Sequence, residues 1–219
     1  MKVINLKKCP STQAYLTNFI SKFPEFISGP TLVTTQDQSS GFGRKGNDWE
    51  FYSGSLAMSF TLRKSTYNHL TPLAIGLSCV QFFSTKNIPL RLKWPNDLMS
   101  EDSQKIGGII CQQVEDYIVC GVGINLNQGD ISWGSIKVNE GPQKIAKDLY
   151  SFIISNTLEH KDVIEQWASF CCHMNQEVEV IDSAHKTFGK FIGIDKNGSA
   201  LIDNTLEIKT VSSGSLFFR

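Results

Sequence analysis

The sequence has little of what marks several large protein classes. No apolar run approaches the ~18 residues that would span a bilayer, and the N-terminus lacks the apolar segment of a signal peptide. A soluble, cytoplasmic chain without a membrane partner is expected. The six cysteines, Cys9, Cys79, Cys111, Cys120, Cys171 and Cys172, form no C-x-x-C pair, and the adjacent Cys171 and Cys172 point different ways on a helix. Reduced thiols that pack as small hydrophobes fit a reducing compartment. The four histidines are scattered without H-E-x-x-H, so no metal site built from side chains is expected. An excess of either charge is missing too. With 21 basic and 21 acidic residues the formal net charge is zero, and no basic face advertises a nucleic-acid partner. Internal repeats and low-complexity linkers are absent. What remains is 219 residues, 41% hydrophobic and 19% charged, with room for one substantial core and a small appended domain.

Apolar spacing lays out the elements. Ser11 and Thr12 precede an amphipathic stretch in which Tyr15, Leu16, Phe19, Ile20 and Phe23 share a face, a helix ended by Pro24 and Gly29-Pro30. Strands are expected at Thr31–Thr35 and Leu56–Leu62, with a glycine loop between them. Thr71-Pro72 reads as an N-cap with proline at the first helical position, opening a helix to about Thr85. Leu90–Trp94 reads as a strand stopped by Pro95, and Ile106–Val114 and Tyr117–Leu126 as two strands about a polar turn at Glu115-Asp116. Pro142–Leu158 and Asp162–His173 have helical spacing. From Asn175 the character changes to short strands, Glu177–Asp182, Phe188–Ile194, Ala200–Asp203 and Leu206–Val211, which suggest a small barrel. The expected division is therefore residues 1–174 and 175–219.

The glycine loop raises a question. Gly41-Phe-Gly-Arg-Lys-Gly46 satisfies G-x-G-x-x-G, yet no helix follows it, and no acid lies between Phe51 and Lys64 to hold a ribose. It is not a dinucleotide turn. A second feature is Lys93-Trp-Pro-Asn-Asp97. Pro95 holds Trp94 extended, so Asn96 and Asp97 sit at a strand end, either in an Asx turn or facing a ligand. Lys105 precedes Ile106-Gly-Gly-Ile109, where two glycines in a strand signal close backbone approach. It is either solvated or paired with a phosphate or carboxylate. The third feature, Cys120-Gly-Val-Gly-Ile-Asn125, again thins a strand with glycine. It is either a packing bulge or a flat surface on which a ligand lies.

Together, Ser11-Thr12-Gln13, the Gln38–Trp49 loop, Lys93–Asp97, Lys105–Ile109 and Gly121–Asn125 resemble the biotin protein ligase family, in order and spacing, from Ser11 to the C-terminus. The resemblance implies an α/β (α+β) fold, with a mixed-sheet catalytic domain of the biotin/lipoate ligase type and a small C-terminal SH3-like β-barrel. It implies two half-reactions: ATP and biotin give biotinyl-5′-AMP, and a lysine of the biotin carboxyl carrier protein of a carboxylase then takes the biotin. Carried across, Ser11, Thr12, Gln13 and Gln38 correspond to biotin contacts, and Phe42, Gly43 and Arg44 to the loop segment that folds over biotin and phosphates. Lys105 corresponds to the lysine at the reacting carboxylate and α-phosphate, which makes Arg44 and Lys105 the catalytic candidates. Trp49, Asn96, Asp97 and Asn125 fall on the ATP side, together with Arg44 and Lys105.

The chemistry asks for such residues. A carboxylate attacking a phosphate brings like charges together, so cations must neutralise both, with Mg²⁺ sharing the load. Arg44 offers a planar fork and Lys105 a compact charge. The loop is thus expected to be a mobile lid over the mixed anhydride. Two departures stand out: Phe42 and Asn47 replace arginines common in the family's loop, so only backbone contact is expected of Phe42. The ten residues before Ser11 are too few for the DNA-binding winged helix of many relatives, which weighs against a biotin-responsive repressor. Lipoate–protein ligase and a non-catalytic biotin-binding module remain as alternatives, and the oligomeric state, a homodimer included, stays open.

Overall fold

The computed structural model describes residues 1–27, 29–64, 68–127, 133–183 and 185–218. An edge strand, β1 (Lys2–Leu6), leads into α1 (Thr12–Lys22). Ser11 caps α1 from an extended conformation, its Oγ accepting from the Ala14 N–H, which satisfies one of the open donors of the first turn. The buried face of α1 is not the apolar one expected. Leu16 and Ile20 are buried, but so are Thr12, Gln13 and Thr17, while Tyr15 and Phe23 are exposed. The helix is rotated so that its first turn covers a polar cavity rather than the core.

The strands β2 (Thr31–Thr35), β3 (Gly41–Phe42), β4 (Asp48–Trp49) and β5 (Leu56–Arg63) follow, then α2 (Thr71–Ser84). Thr71 is already helical and Leu70 takes the cap position, because a 3₁₀ turn at Asn68–Leu70 runs straight into the helix. Next come β6 (Arg91–Lys93), β7 (Asp97–Met99), β8 (Lys105–Val114), β9 (Tyr117–Ile124), α3 (Pro142–Ser155) and α4 (His160–Phe170). Seven strands form one mixed sheet in the order β1-β2-β5-β9-β8-β7-β6, parallel only between β1 and β2. β3 and β4 make a separate small hairpin.

Alternation divides the sheet's two faces. Leu56, Met58, Phe60 and Leu62 of β5, with Ile118, Cys120, Val122 and Ile124 of β9, belong to the main core beneath α2 and α3. On the opposite face Val33, Val114 and Val119 pack against Leu16 and Ile20 of α1. Beyond α1 that face carries Ser59, Gly108, Ile110, Gly121 and Gly123, and these line a cavity.

The C-terminal segment is a five-stranded antiparallel sheet of β10 (Glu177–Asp182), β11 (His185–Ile194), β12 (Ala200–Asp203), β13 (Ile208–Val211) and β14 (Ser215–Phe218), ordered β13-β12-β11-β10-β14. The turns on either side of β12 are held by carboxylate and amide oxygens: Asp195 Oδ1 accepts from Asn197 N and Ser199 N, and Asn204 Oδ1 from Leu206 N and Glu207 N. β14 was not anticipated. Val178, Val180, Phe191, Ile202 and Leu216 continue the main core. Trp94 joins the two sheets: its indole is 1% exposed and donates from Nε1 to Gly198 O at 2.9 Å. Burying a side chain of that size contributes roughly 3 kcal/mol, and its hydrogen bond about 1 more. Among the described residues no helix is long and apolar enough to cross a membrane.

Candidate functional site

A cavity of about 340 Å³ opens between the start of α1, the β3–β4 hairpin, the glycine face of the sheet, the Lys93–Asp97 turn and Gly214–Phe217 of the C-terminal sheet. Ser11, Thr12, Gln13, Gln38, Phe42, Gly43, Arg44, Trp49, Asn96, Asp97 and Lys105 all line it. Asn125 does not. It is buried, with Nδ2 donating to Gly134 O at 3.0 Å and Oδ1 without a hydrogen-bond partner among the described residues.

One end of the cavity is polar and uncharged. Gln38 Oε1 accepts from the Thr12 N–H at 3.0 Å, which ties the strand-end loop to the helix start. Thr12 Oγ1 lies 3.0 Å from Ser59 Oγ, and Ser59 donates to Gln13 Oε1 at 3.1 Å. Gln13 Nε2 donates to Val119 O. Gly121 makes this possible, since a Cβ there would stand 2.8 Å from Gln13 Oε1.

The other end is cationic. Arg44 Nη1 donates to Asn96 Oδ1 at 3.1 Å and to Gly214 O at 3.2 Å, so the guanidinium bridges the hairpin, the turn and the C-terminal sheet. Asn96 is in turn fixed by donating from Nδ2 to Ile109 O at 2.7 Å. Lys105 Nζ sits 2.7 Å from Asp97 Oδ1. Lys93 pairs with Asp97 across β6 and β7, and its Nζ lies 5.4 Å from the centroid of the Phe218 ring. Burial lowers the pKa of both Arg44 and Lys93. Asp97 and Asp182 oppose that shift at Arg44; at Lys93, Asp97 opposes it and Lys105 adds to it. Three cations thus share the wall with Asp97 and the exposed Asp48, an excess of positive charge suited to an anion.

The glycines differ from one another. At Gly123 a Cβ would lie 2.7 Å from the Trp49 indole, so Trp49 itself lies on that stretch of sheet, its Nε1 buried without a partner among the described residues. At Gly108 nothing comes nearer than 3.8 Å, which leaves backbone open to the cavity. In the hairpin Gly43 N donates to Asn47 O at 2.7 Å, and Lys45 and Gly46 both take positive φ, 56° and 76°. Among the described residues no three His, Cys, Asp or Glu side chains gather.

Sequence reasoning gave no role to Ser59, to Lys93 or to Gly214–Phe217. Lys93 had a signal: in a tight β6–β7 hairpin the residue four before Asp97 returns beside it. Ser59 had a signal too: the alternation of Leu56, Met58, Phe60 and Leu62 puts Ser59 on the other face of β5, but both faces are buried, so burial gave no sign that this one lines a cavity.

Several known proteins resemble this chain. The bifunctional ligase/repressor BirA of Escherichia coli is 26% identical over 95% of this chain and 71% of its own length. Its Bacillus subtilis counterpart is 23% identical, and this chain spans only 65% of that protein. The biotin–[acetyl-CoA-carboxylase] ligase of Paracoccus denitrificans is 20% identical over 88% of this chain and 92% of its own. Among solved structures, biotin protein ligase from Aquifex aeolicus in complex with biotin and ATP superposes with a TM-score of 0.86 at 26% identity, covering 100% of this chain and 99% of that one. The model of the biotin protein ligase C-terminal domain matches residues 173–219. Residues 6–125 match the model of the biotin/lipoate A/B protein ligases, and that match takes in both ends of the cavity except its C-terminal wall; the chain belongs to the biotin/lipoate A/B protein ligase family.

Proposed function

We propose that the chain is an ATP-dependent biotin protein ligase, making biotinyl-5′-AMP and passing biotin to a lysine of a biotin carboxyl carrier protein. The observation that carries this reading is a single cavity with a neutral hydrogen-bonding end at Thr12, Gln13 and Gln38 and a cationic end at Arg44, Lys93 and Lys105. A ureido ring suits the first and a triphosphate the second. The valerate chain would pass along the Gly108 and Ile110 strand, where the backbone is open.

The steps follow from that orientation. A biotin carboxylate oxygen attacks the α-phosphorus; its new O–P bond forms as the bond to the pyrophosphate oxygen breaks, and pyrophosphate leaves. Lys105 lies where the two anions meet, and its charge is worth most as negative charge concentrates in the transition state. Asp97 holds its ammonium in place at 2.7 Å. Arg44, desolvated and anchored at Asn96 and Gly214, holds phosphate oxygens without a large search. In the second step the neutral amine of the carrier lysine attacks the acyl carbon, AMP leaves, and a proton is released.

Magnesium fits this site as a companion of ATP. Among the described residues Asp97 and Asp48 are the carboxylates lining the cavity, enough for an ion that keeps phosphate and water as most of its ligands. Its contribution when bound is to neutralise phosphate charge. A division at residue 174 supports the same reading, with the C-terminal sheet acting as the wall that anchors Arg44. The balanced net charge favours no nucleic-acid partner. The family also holds lipoate ligases, but the neutral network at Thr12, Gln13, Ser59 and Gln38 has no counterpart to bind in a dithiolane ring, which carries neither N–H nor carbonyl.

The deciding experiment incubates the purified protein with biotin, ATP, Mg²⁺ and a biotin carrier domain, and weighs the carrier by mass spectrometry. A gain of one biotin is expected. A carrier of unchanged mass, with active carrier confirmed using another ligase, would overturn the proposal.

A further inference from the structure

We propose that Ser59 sets the direction of the protons at the neutral end of the cavity, and thereby makes Thr12 an acceptor that selects a ring N–H. This inference rests on the biotin reading above. Ser59 is fully buried midway along β5, on the face that lines the cavity. Its neighbours leave one arrangement. A terminal atom of Gln13 lies 3.1 Å from Val119 O; a carbonyl only accepts, so that atom is the amide nitrogen. The remaining amide atom, Oε1, faces Ser59 Oγ at 3.1 Å and only accepts, so the Ser59 hydroxyl donates. With its one proton given to Gln13, Ser59 meets Thr12 Oγ1, 3.0 Å away, as an acceptor. The Thr12 proton therefore points at Ser59.

The second acceptor within reach is the weaker one. Gln38 Oε1 lies 3.4 Å from Thr12 Oγ1, and it is fixed as oxygen by the Thr12 N–H at 3.0 Å. At 3.0 Å against 3.4 Å, Ser59 is the acceptor that holds the Thr12 proton inside the protein. Thr12 presents only lone pairs to the cavity.

A ureido ring carries two N–H donors flanking one carbonyl oxygen. Lone pairs on Thr12 attract an N–H and repel a ring oxygen or a carbonyl. Ser11 is the opposite case: its Oγ already accepts from Ala14 N at 3.3 Å, so its own proton is the part left for a carbonyl oxygen. The two neighbouring hydroxyls thus have opposite polarity, and Ser59 is the positioning residue that keeps one of them so. Gly121 belongs to the same device, because a side chain there would push Gln13 off Ser59.

The test measures binding of biotin and of two cyclic carbamate analogues, each with one ureido N–H replaced by ring oxygen, by calorimetry on the wild-type protein and on Ser59→Ala. The wild-type protein is expected to reject one analogue by ~10²-fold or more relative to biotin, since the missing donor leaves a buried acceptor facing an oxygen. In Ser59→Ala the Thr12 hydroxyl is released to turn and donate. Biotin binding should weaken roughly 10-fold and the rejection ratio should fall by at least ~10-fold, while ATP affinity stays unchanged and certifies the fold. Ser59→Thr, which keeps the hydroxyl, should restore the wild-type ratio. If Ser59→Ala loses ATP binding as well, Ser59→Cys, of similar shape with a weak donor, carries the same comparison. A rejection ratio equal to the wild type's in the variant that binds ATP overturns the inference, as does a wild-type protein that accepts both analogues. A wild-type protein that binds ATP but no biotin overturns the functional reading itself and is told apart by that first titration.

Discussion

The two ends of the cavity are built in different ways. The neutral end hangs on a helix start and the central strands of the main sheet, and its polar atoms satisfy one another: Gln38 with Thr12, Ser59 with Gln13, Gln13 with Val119. The cationic end is drawn from four separate segments, at Arg44, Lys93–Asp97, Lys105 and Gly214, and its charges are only partly balanced. An internally satisfied network is ready before its ligand arrives. A cationic cluster in which burial lowers the pKa of Arg44 and Lys93 is completed by an anion. On the reading proposed above, selection of the ring belongs to the end whose polar atoms already satisfy one another, and chemistry to the end drawn from separate segments.

The contrast is broken most severely by removing charge from the cationic end. Lys105→Met should lower ATP–pyrophosphate exchange by ~10²-fold or more, whereas transfer from preformed biotinyl-AMP should keep most of its rate, because phosphate attack is then already complete. Measuring the two half-reactions separately checks this, and an unchanged exchange rate removes Lys105 from the mechanism.

Acid provides the next largest effect, through the C-terminal wall. His173 is buried among Trp167, Phe191 and Phe218, with Nε2 unpartnered among the described residues. Burial, with Lys93 adding to it, lowers the His173 pKa from 6.5 to about 3. The unfolded chain takes up this proton near pH 6.5 and the folded one only near 3, so stability is full above 6.5 and falls as pH drops between these values. In His173→Phe that loss should shrink, visible as a flatter plot of urea midpoint against pH from 7 to 4. An identical slope in the two proteins would show that the imidazole ring is not kept neutral.

A milder test sharpens the contrast by ligand. The β3–β4 hairpin carries Arg44 and Lys45 on a turn with two positive φ values, and Lys45 lies 3.8 Å from Asp182. Biotin with ATP should slow tryptic cleavage at these two residues several-fold, with biotin alone giving less protection. Equal cleavage with and without ligands would count against a closing lid. The smallest effect is expected at the joint between the sheets. Trp94→Phe keeps most of the buried surface but leaves Gly198 O without its indole donor, costing about 1–2 kcal/mol in denaturant unfolding.

The helix-start part of the neutral end was legible from sequence because its residues are local. Ser11, Thr12 and Gln13 announce a helix start, and a helix start exposes donors whatever lies around it. Lys93–Asp97 was legible for a similar reason, since proline and an Asn-Asp pair mark a strand end. What stayed hidden depended on contacts distant in sequence. Tyr15 and Phe23 matched the helical repeat as well as Leu16 did, and only the polar cavity under the first turn decided which face was buried. β14 is four residues long and gains its place by pairing with β10, which nothing local reveals. Asn125 ends an apolar strand, as a ligand contact would, yet its amide turns to Gly134 O. The glycines of β9 were read as either a packing bulge or a flat ligand surface, and it is Gln13 and Trp49 that lie against them.

The bond from Arg44 to Gly214 O closes over 170 residues of chain. A ribosome adds ~5–20 residues per second, so roughly 10–30 s separate the two partners during synthesis. For that interval the nascent chain has its helix start and glycine loop but no wall to anchor the arginine. Long-range closure of this kind acts as a timer: on the proposed reading, a half-made chain lacks the anchor of its arginine until the strand that finishes the smaller sheet has been made.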